Sequence, residues 1–331
     1  MKRKSPVSRI IGTLALPVAM YLIMMILCYS HGKMYFGTWN MWKTLIVDIA
    51  LSVTCAMGIG LQFKCGRFDF SGGAIMLLSS IIAGNIALKM GNNIWMMCLL
   101  CIGCCVVFSL LVAIFYVYGR IPIVITTIGF AMLYESVTCL IFGGRGINIV
   151  GNMTLRIFSG FPHVLAPMLL AIGIYAFYSY CTVSGKQSRL LANNQQAAVN
   201  IGVKEKKNVI VSYLFSGLIF GFATIIYIAN ALHRGAYTSM ATVGELFSNI
   251  LPVFVGLIVG VFCGDTIGTI VGSLTLCLMS WGLKAVFSDE LGAAICTICM
   301  GAFVLIINTI GAQGGRIAKL FRRKAKEETT T

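Results

Sequence analysis

Ten runs of about twenty mainly apolar residues follow one another with only short polar breaks. They cover 10–30, 43–61, 68–88, 94–118, 121–142, 163–181, 209–231, 246–263, 265–287 and 291–311. A helix needs about 20 apolar residues to cross the hydrocarbon layer. The chain therefore reads as an all-α polytopic membrane protein of about ten transmembrane helices. Of its 331 residues 58% are hydrophobic and 11% are charged, against about 25% charged in soluble domains. A globule of this length has no interior large enough for so much apolar surface. One transmembrane domain is expected over 1–311, with a basic tail at 312–331. The polar, glycine-rich opening of the third run and the border at Gly264-Asp265 mark breaks or re-entrant turns, near 61–75 and 232–265.

Ten crossings put both termini on one side, together with the polar segment 182–208. On that side Lys and Arg number 18, against 7 on the other, which accounts for the 25 in the chain. The positive-inside rule places the termini and 182–208 in the cytoplasm. The net charge of +15 is thus a topology signal. It is scattered in short clusters and forms no basic groove with interleaved aromatics, so nucleic acid is not an expected partner. The first run is long enough to span and lacks a small-residue cleavage site after it, so it reads as an uncleaved first span.

Chemistry-bearing residues are sparse. Thirteen cysteines lie mostly inside apolar runs, where burial in lipid disfavours the thiolate. Cys98, Cys101, Cys104 and Cys105 share one side of a helix, and Cys296 and Cys299 form a second pair; both read as small packing residues rather than metal ligands. His31, His163 and His233 fall in outer loops or at span ends. Asp48 and Glu135 lie within spans, where a carboxylate is costly and must face protein or water. Glu135 is open to three readings: a solute or helix contact, a packing residue, or a proton relay. No phosphate-binding Gly-x-x-x-x-Gly-Lys-[Ser/Thr] loop occurs, and no nucleophile or metalloprotease pattern. No catalytic, cofactor or metal site is expected on this chain.

Four segments stand out. The first is 182–208, in which Asn193 or Asn194 suits a helix N-cap, Gln195 to Val199 a short helix, and Gly202 its stop. The second is Phe68-Asp69-Phe70-Ser71-Gly72-Gly73-Ala74, a capped helix start. The third is Arg120-Ile-Pro122-x-x-x-Thr126-x-x-Gly129, closing on Gly143-Gly144-Arg145. The fourth is the ladder Gly256, Gly260, Gly264, Gly268 and Gly272. Its spacing of four lets helices approach closely, and its drift around a straight helix requires a break, for which Gly264-Asp265 is the natural place.

In this order the segments resemble the simple-sugar (ribose-type) permeases of ABC importers. Asn194-x-x-Ala197-Ala198-x-x-x-Gly202-Val203, followed by Ser216-Gly217, is similar to that family's ATPase-docking segment. Asp69, Ser71 and Gly73 match its Ile-Asp-Leu-Ser-x-Gly-Ser run. The stretch from Pro122 to Arg145 matches its Pro-x-Phe-Ile-x-Thr-Leu-Gly run and Thr-Gly-Gly-Arg ending. Asn193 replaces a Gly, Ile201 a Ser and Ala74 a Ser.

The resemblance implies the membrane subunit of an ATP-driven importer in a prokaryotic plasma or inner membrane, carrying a simple sugar or related small polar solute. ATP and Mg would be bound by a separate cytoplasmic ABC ATPase docked on Asn194, Gln195, Gln196, Ala197, Ala198 and Gly202. Asp69, Ser71, Gly73, Thr126 and Glu135 become pathway or gating candidates. Arg145, Arg156 and Arg234 become docking candidates for an extracytoplasmic solute-binding protein. A second permease subunit completes the pathway, and the departures from the motifs suggest a different chain in that role. A branched-chain amino-acid or nucleoside ABC permease, and an ion- or proton-coupled carrier, are the alternative expectations.

Overall fold

The computed structural model describes residues 6–287, 294–306 and 308–309. The basic tail 312–331 and the Met1-Lys-Arg-Lys start lie outside the described residues. The helices are α1 (Pro6–Ser30), α2 (Trp39–Lys64), α3 (Gly72–Lys89), α4 (Ile94–Gly119), α5 (Ile123–Leu140), α6 (Leu165–Ala176), α7 (Val183–Asn193), α8 (Gln195–Asn200), α9 (Glu205–Asn230), α10 (Ala241–Cys263) and α11 (Asp265–Val286), with α12 at Ala294–Ile306. Among the described residues, eight helices are long and apolar enough to cross a membrane. Leu165–Cys181 and Val183–Asn193, bent by 72° at Thr182, make a ninth where the pair is taken as one broken span. α12 is the described part of the tenth expected span; the remainder of 291–311 lies largely outside the described residues.

The chain divides into two compact units, one of residues 38–250 and one of 1–37 with 251–331. In the latter, the glycine ladder joins α11 to the second half of α10. Gly264 takes φ +90° between them, a conformation that a side chain rarely adopts. A methyl group at Gly268 would fall on the Gly256 carbonyl, and one at Gly272 would lie 2.5 Å from the Pro252 carbonyl oxygen. The expected break and the expected packing role are both seen. α1 packs on α11, where Tyr35 donates to the Leu278 carbonyl at 2.9 Å.

In the unit of 38–250, α9 is the central helix, and α2, α3, α4 and α6 pack around it. Ser216 donates to the Gly58 carbonyl of α2 at 2.9 Å. Cys105 of α4 lies 3.3 Å from the Thr224 hydroxyl, so the α4 cysteines are spent on helix contact. A two-residue ladder, β1 (Ile147–Asn148) against β2 (His233–Arg234), ties two outer loops together.

Several boundaries differ from those expected, by up to five residues at the helix starts. The third span starts at Gly72 rather than 68, because Arg67 to Ser71 run as non-helical chain. The eighth starts at Ala241 rather than 246. Segment 182–208 holds two helices instead of one. Thr182 caps α7 by accepting from the Gly185 amide at 3.0 Å, and the buried face of α7 is Gly185, Ser188 and Leu191. Two of those three are not apolar, so the hydrophobic pattern conceals the helix.

Candidate functional site

The hairpin of 182–208 is built on two caps. Asn194 is the N-cap of α8 and its side chain accepts from the Ala197 amide at 3.0 Å; Asn193, the other capping candidate, is instead the last residue of α7. Gly202 ends the turn after α8 with φ +93°, so it is needed for its backbone. Ala198 is 2% exposed and packs with Leu191 and Val203. Ala198 is thus turned into the hairpin and helps to hold it together. Gln195 donates to Glu205 at 2.7 Å, fastening α8 to the start of α9. What faces outward is Gln196, Ala197, Val199 and Ile201, with Ile201 72% exposed. The sequence reading treated Ile201 only as a departure from a motif; an isoleucine in a polar loop is the signal that marked it.

The second arrangement lies deep in the same unit. α9 has 26 residues, about 39 Å at 1.5 Å per residue. A methyl group on Gly72 would meet the Phe220 ring at 2.7 Å, and Phe220 lies about 22 Å from one end of α9 and about 15 Å from the other. α3 therefore begins near the middle of the span. α10 begins there too. A methyl group on Gly73 would stand 2.7 Å from the Thr242 carbonyl oxygen, so only glycine lets the starts of α3 and α10 come this close. Glu135, buried in α5, accepts from the Thr242 amide at 2.8 Å and from its hydroxyl at 2.5 Å. It thus satisfies one of the orphan amides at the start of α10. Of the three readings left open for Glu135, this bonding supports a helix contact.

Asp69 accepts from both the Ser71 amide, at 2.8 Å, and the Ser71 hydroxyl, at 2.6 Å, just before α3. Phe70 lies 5.9 Å from Phe247 of α10. Four of the five pathway candidates, Asp69, Ser71, Gly73 and Glu135, thus belong to one junction. Thr126 does not: its hydroxyl bonds the Pro122 carbonyl at 3.2 Å, about 13 Å along α5 from Glu135. Non-helical backbone at this depth is tolerated only where protein or a water-filled cavity surrounds it, and broken helices meeting at mid-depth are the usual architecture of solute sites in transporters.

At the outer side, Arg145 is exposed in a loop held by Asn85, which donates to the Gly146 carbonyl at 2.9 Å. Arg156 is half-buried, with its Nε lacking a hydrogen-bond partner. Arg234 turns inward. It pairs with Glu245 of α10 at 2.8 Å and lies 3.9 Å over the Tyr227 ring, while Tyr227 also donates to Glu245 at 2.9 Å. Its guanidinium is engaged in this cluster. Glu245 went unremarked in the sequence because it sits one residue before the apolar run 246–263.

Residues 41–307 match the family model for the branched-chain amino acid transport system / permease component. The chain belongs to that permease family. Similar proteins include the fructose import permease protein FruG of Bifidobacterium longum, 24% identical, covering 88% of this chain and 89% of that one. The autoinducer 2 import system permease protein LsrC of Photorhabdus luminescens is 25% identical over 72% of this chain and 73% of its own. The ribose import permease protein RbsC of Escherichia coli is 23% identical over 80% and 84% respectively. This permease is a multi-pass protein of the prokaryotic inner membrane and a transport subunit.

Proposed function

We propose that this permease conducts a simple sugar, or a solute with similar hydroxyl chemistry, as the membrane subunit of an ATP-driven importer. The observation that carries the reading is the hairpin tip. Val199 and Ile201 are 44% and 72% exposed on a capped polar hairpin that charge topology places in the cytoplasm, outside lipid. An apolar tip on a rigid arm suits insertion into a groove of a soluble subunit. ATP and Mg belong to that ATPase. The names of the relatives, for fructose, ribose and autoinducer 2, favour a sugar-like cargo over an amino acid. Arg145 is the best-presented charge for an extracytoplasmic binding protein. A second permease subunit, identical or different, completes the pathway.

The test is purification of the tagged permease from its native membrane, followed by assay of Mg-dependent ATP hydrolysis in the isolated complex. Wild type should bring an ATPase with it, and Ile201→Asp should lower the recovered hydrolysis at least tenfold while leaving the permease folded. Equal recovery from both would remove the docking reading. Uptake of labelled ribose or fructose into proteoliposomes of the complex, with no uptake of leucine, is the expected cargo result; leucine uptake alone would overturn it.

A further inference from the structure

In the charge count Arg67 is one cytoplasmic cation among eighteen, yet its side chain is 5% exposed. One terminal nitrogen donates to Ser212 at 2.8 Å and the other to Asn208 at 3.1 Å, both on α9. Ser212 passes the contact to Gln62 of α2 at 3.3 Å. Asn208 in turn donates to the Ser184 carbonyl of α7 at 2.8 Å and exchanges bonds with Ser188 of α7 at 3.1 and 3.2 Å. Ser188 meets Tyr178 at 2.8 Å. One guanidinium thereby connects the hairpin's first helix to α2 and α9.

The same residue begins the non-helical run to Ser71. The Arg67 guanidinium is level with Asn208 and Ser212, and Gly72 is level with Phe220, about 12–18 Å further along α9. The run between them is short and carries the Asp69–Ser71 turn, and its far end is the start of α3, where Gly73 meets Thr242. A short run pinned by side-chain bonds at both ends transmits displacement better than a loop with neither.

We propose that Arg67 is a positioning residue that couples movement of the α7–α8 hairpin to the junction of α3 and α10. This rests on the reading that an ATPase docks on the hairpin. Rotation of α7 shifts Ser184 and Ser188, Asn208 carries the shift to the guanidinium, and the run 67–71 delivers it to the α3 start. A route of packed groups is a mechanism only if both sites bias it, so the measurement must be of coupling.

The experiment uses the whole importer in proteoliposomes, with solute uptake and ATP hydrolysis followed together. Arg67→Gln should keep the ATPase bound and basal hydrolysis running, while solute moved per ATP falls at least tenfold. Ser212→Ala, which removes a single bond, should lower the ratio two- to threefold. Arg67→Lys keeps the charge but not the forked geometry and should recover less than half of the ratio. An unchanged ratio in an assembled Arg67→Gln importer overturns the proposal; where that variant does not assemble, an unchanged ratio in Ser212→Ala overturns it. If Ile201→Asp retains its ATPase, the docking reading fails first and separately. If Ile201→Asp sheds the ATPase and Arg67→Gln keeps the ratio, only the transmission fails.

Discussion

The hairpin end and the mid-depth junction of the same unit are held by opposite means. Around Arg67, Asn208 and Ser188, cohesion comes from a mesh of hydrogen bonds between one guanidinium and neutral side chains, in which most groups have more than one partner. At the junction, what joins α10 to its neighbours is a carboxylate cap and a close backbone approach, Glu135 on Thr242 and Gly73 against Thr242. A mesh with redundant bonds moves as a body, because losing one bond leaves the others. A contact that depends on a missing methyl group has no intermediate setting: the helices either touch or part. The contrast teaches where each function fits, with a rigid lever at the hairpin and a two-position contact at mid-depth.

The largest effect should come from filling that contact. Gly73→Val places branched carbon where the Thr242 carbonyl stands, and overpacking of this kind costs about 1–3 kcal/mol. Because the contact itself is displaced, uptake should fall by two orders of magnitude with ATPase recovery intact, as read by proteoliposome transport beside co-purification. Normal uptake in Gly73→Val would erase the distinction between lever and contact.

Next in size is Glu135. Glu135→Ala leaves the buried Thr242 amide and hydroxyl without their acceptor, a cost of about 1–3 kcal/mol, visible as a lower melting temperature of the detergent-solubilised permease. Glu135→Gln keeps an acceptor oxygen and should restore most of that stability and most of the uptake. A proton relay would give the reverse pattern, with Gln as inactive as Ala. The pair of variants therefore decides between cap and relay.

At the hairpin, Ala198→Asp and Ile201→Asp should separate folding from docking. Ala198 is enclosed by Leu191 and Val203, and an unpaired carboxylate there opens the turn. Limited proteolysis should cut the Ala198→Asp hairpin several times faster than wild type. Ile201→Asp should be cut at the wild-type rate and still lose the ATPase.

The spans were legible in the sequence because lipid imposes a length on each apolar run. The glycine ladder and the Asp69-to-Gly73 start were legible as close approaches. What stayed hidden was pairing at a distance. Arg67 meets Ser212 and Asn208 across more than 140 residues, and neutral partners leave no pattern of opposite charges to read. α7 was hidden because its buried face is Ser and Gly. The burial of Ala198 was hidden because a small residue in a polar loop can turn inward or outward with the same local sequence, and only Leu191 and Val203 decide it.

The smallest effect belongs to Glu245, and it bears on how the outer loop is tied to the junction. Arg234 and Glu245 are 22% and 40% exposed at their side chains, so water screens the pair and its worth is about 0.5–1 kcal/mol. Glu245→Gln keeps one acceptor oxygen for Arg234 and presents an amide N–H to the Tyr227 hydroxyl, which can accept it, while the charge is lost. A drop in melting temperature of a degree or two, with uptake reduced less than twofold, is the expected result. The junction would then owe its position to Glu135 and Gly73, with the ion pair serving to hold the loop of 231–240 beside α10. A tenfold loss of uptake in Glu245→Gln at unchanged stability would reverse that ranking. It would make the partly exposed Arg234–Glu245 pair part of the solute's route, and the mid-depth contact would then be governed from its outer side rather than through Arg67.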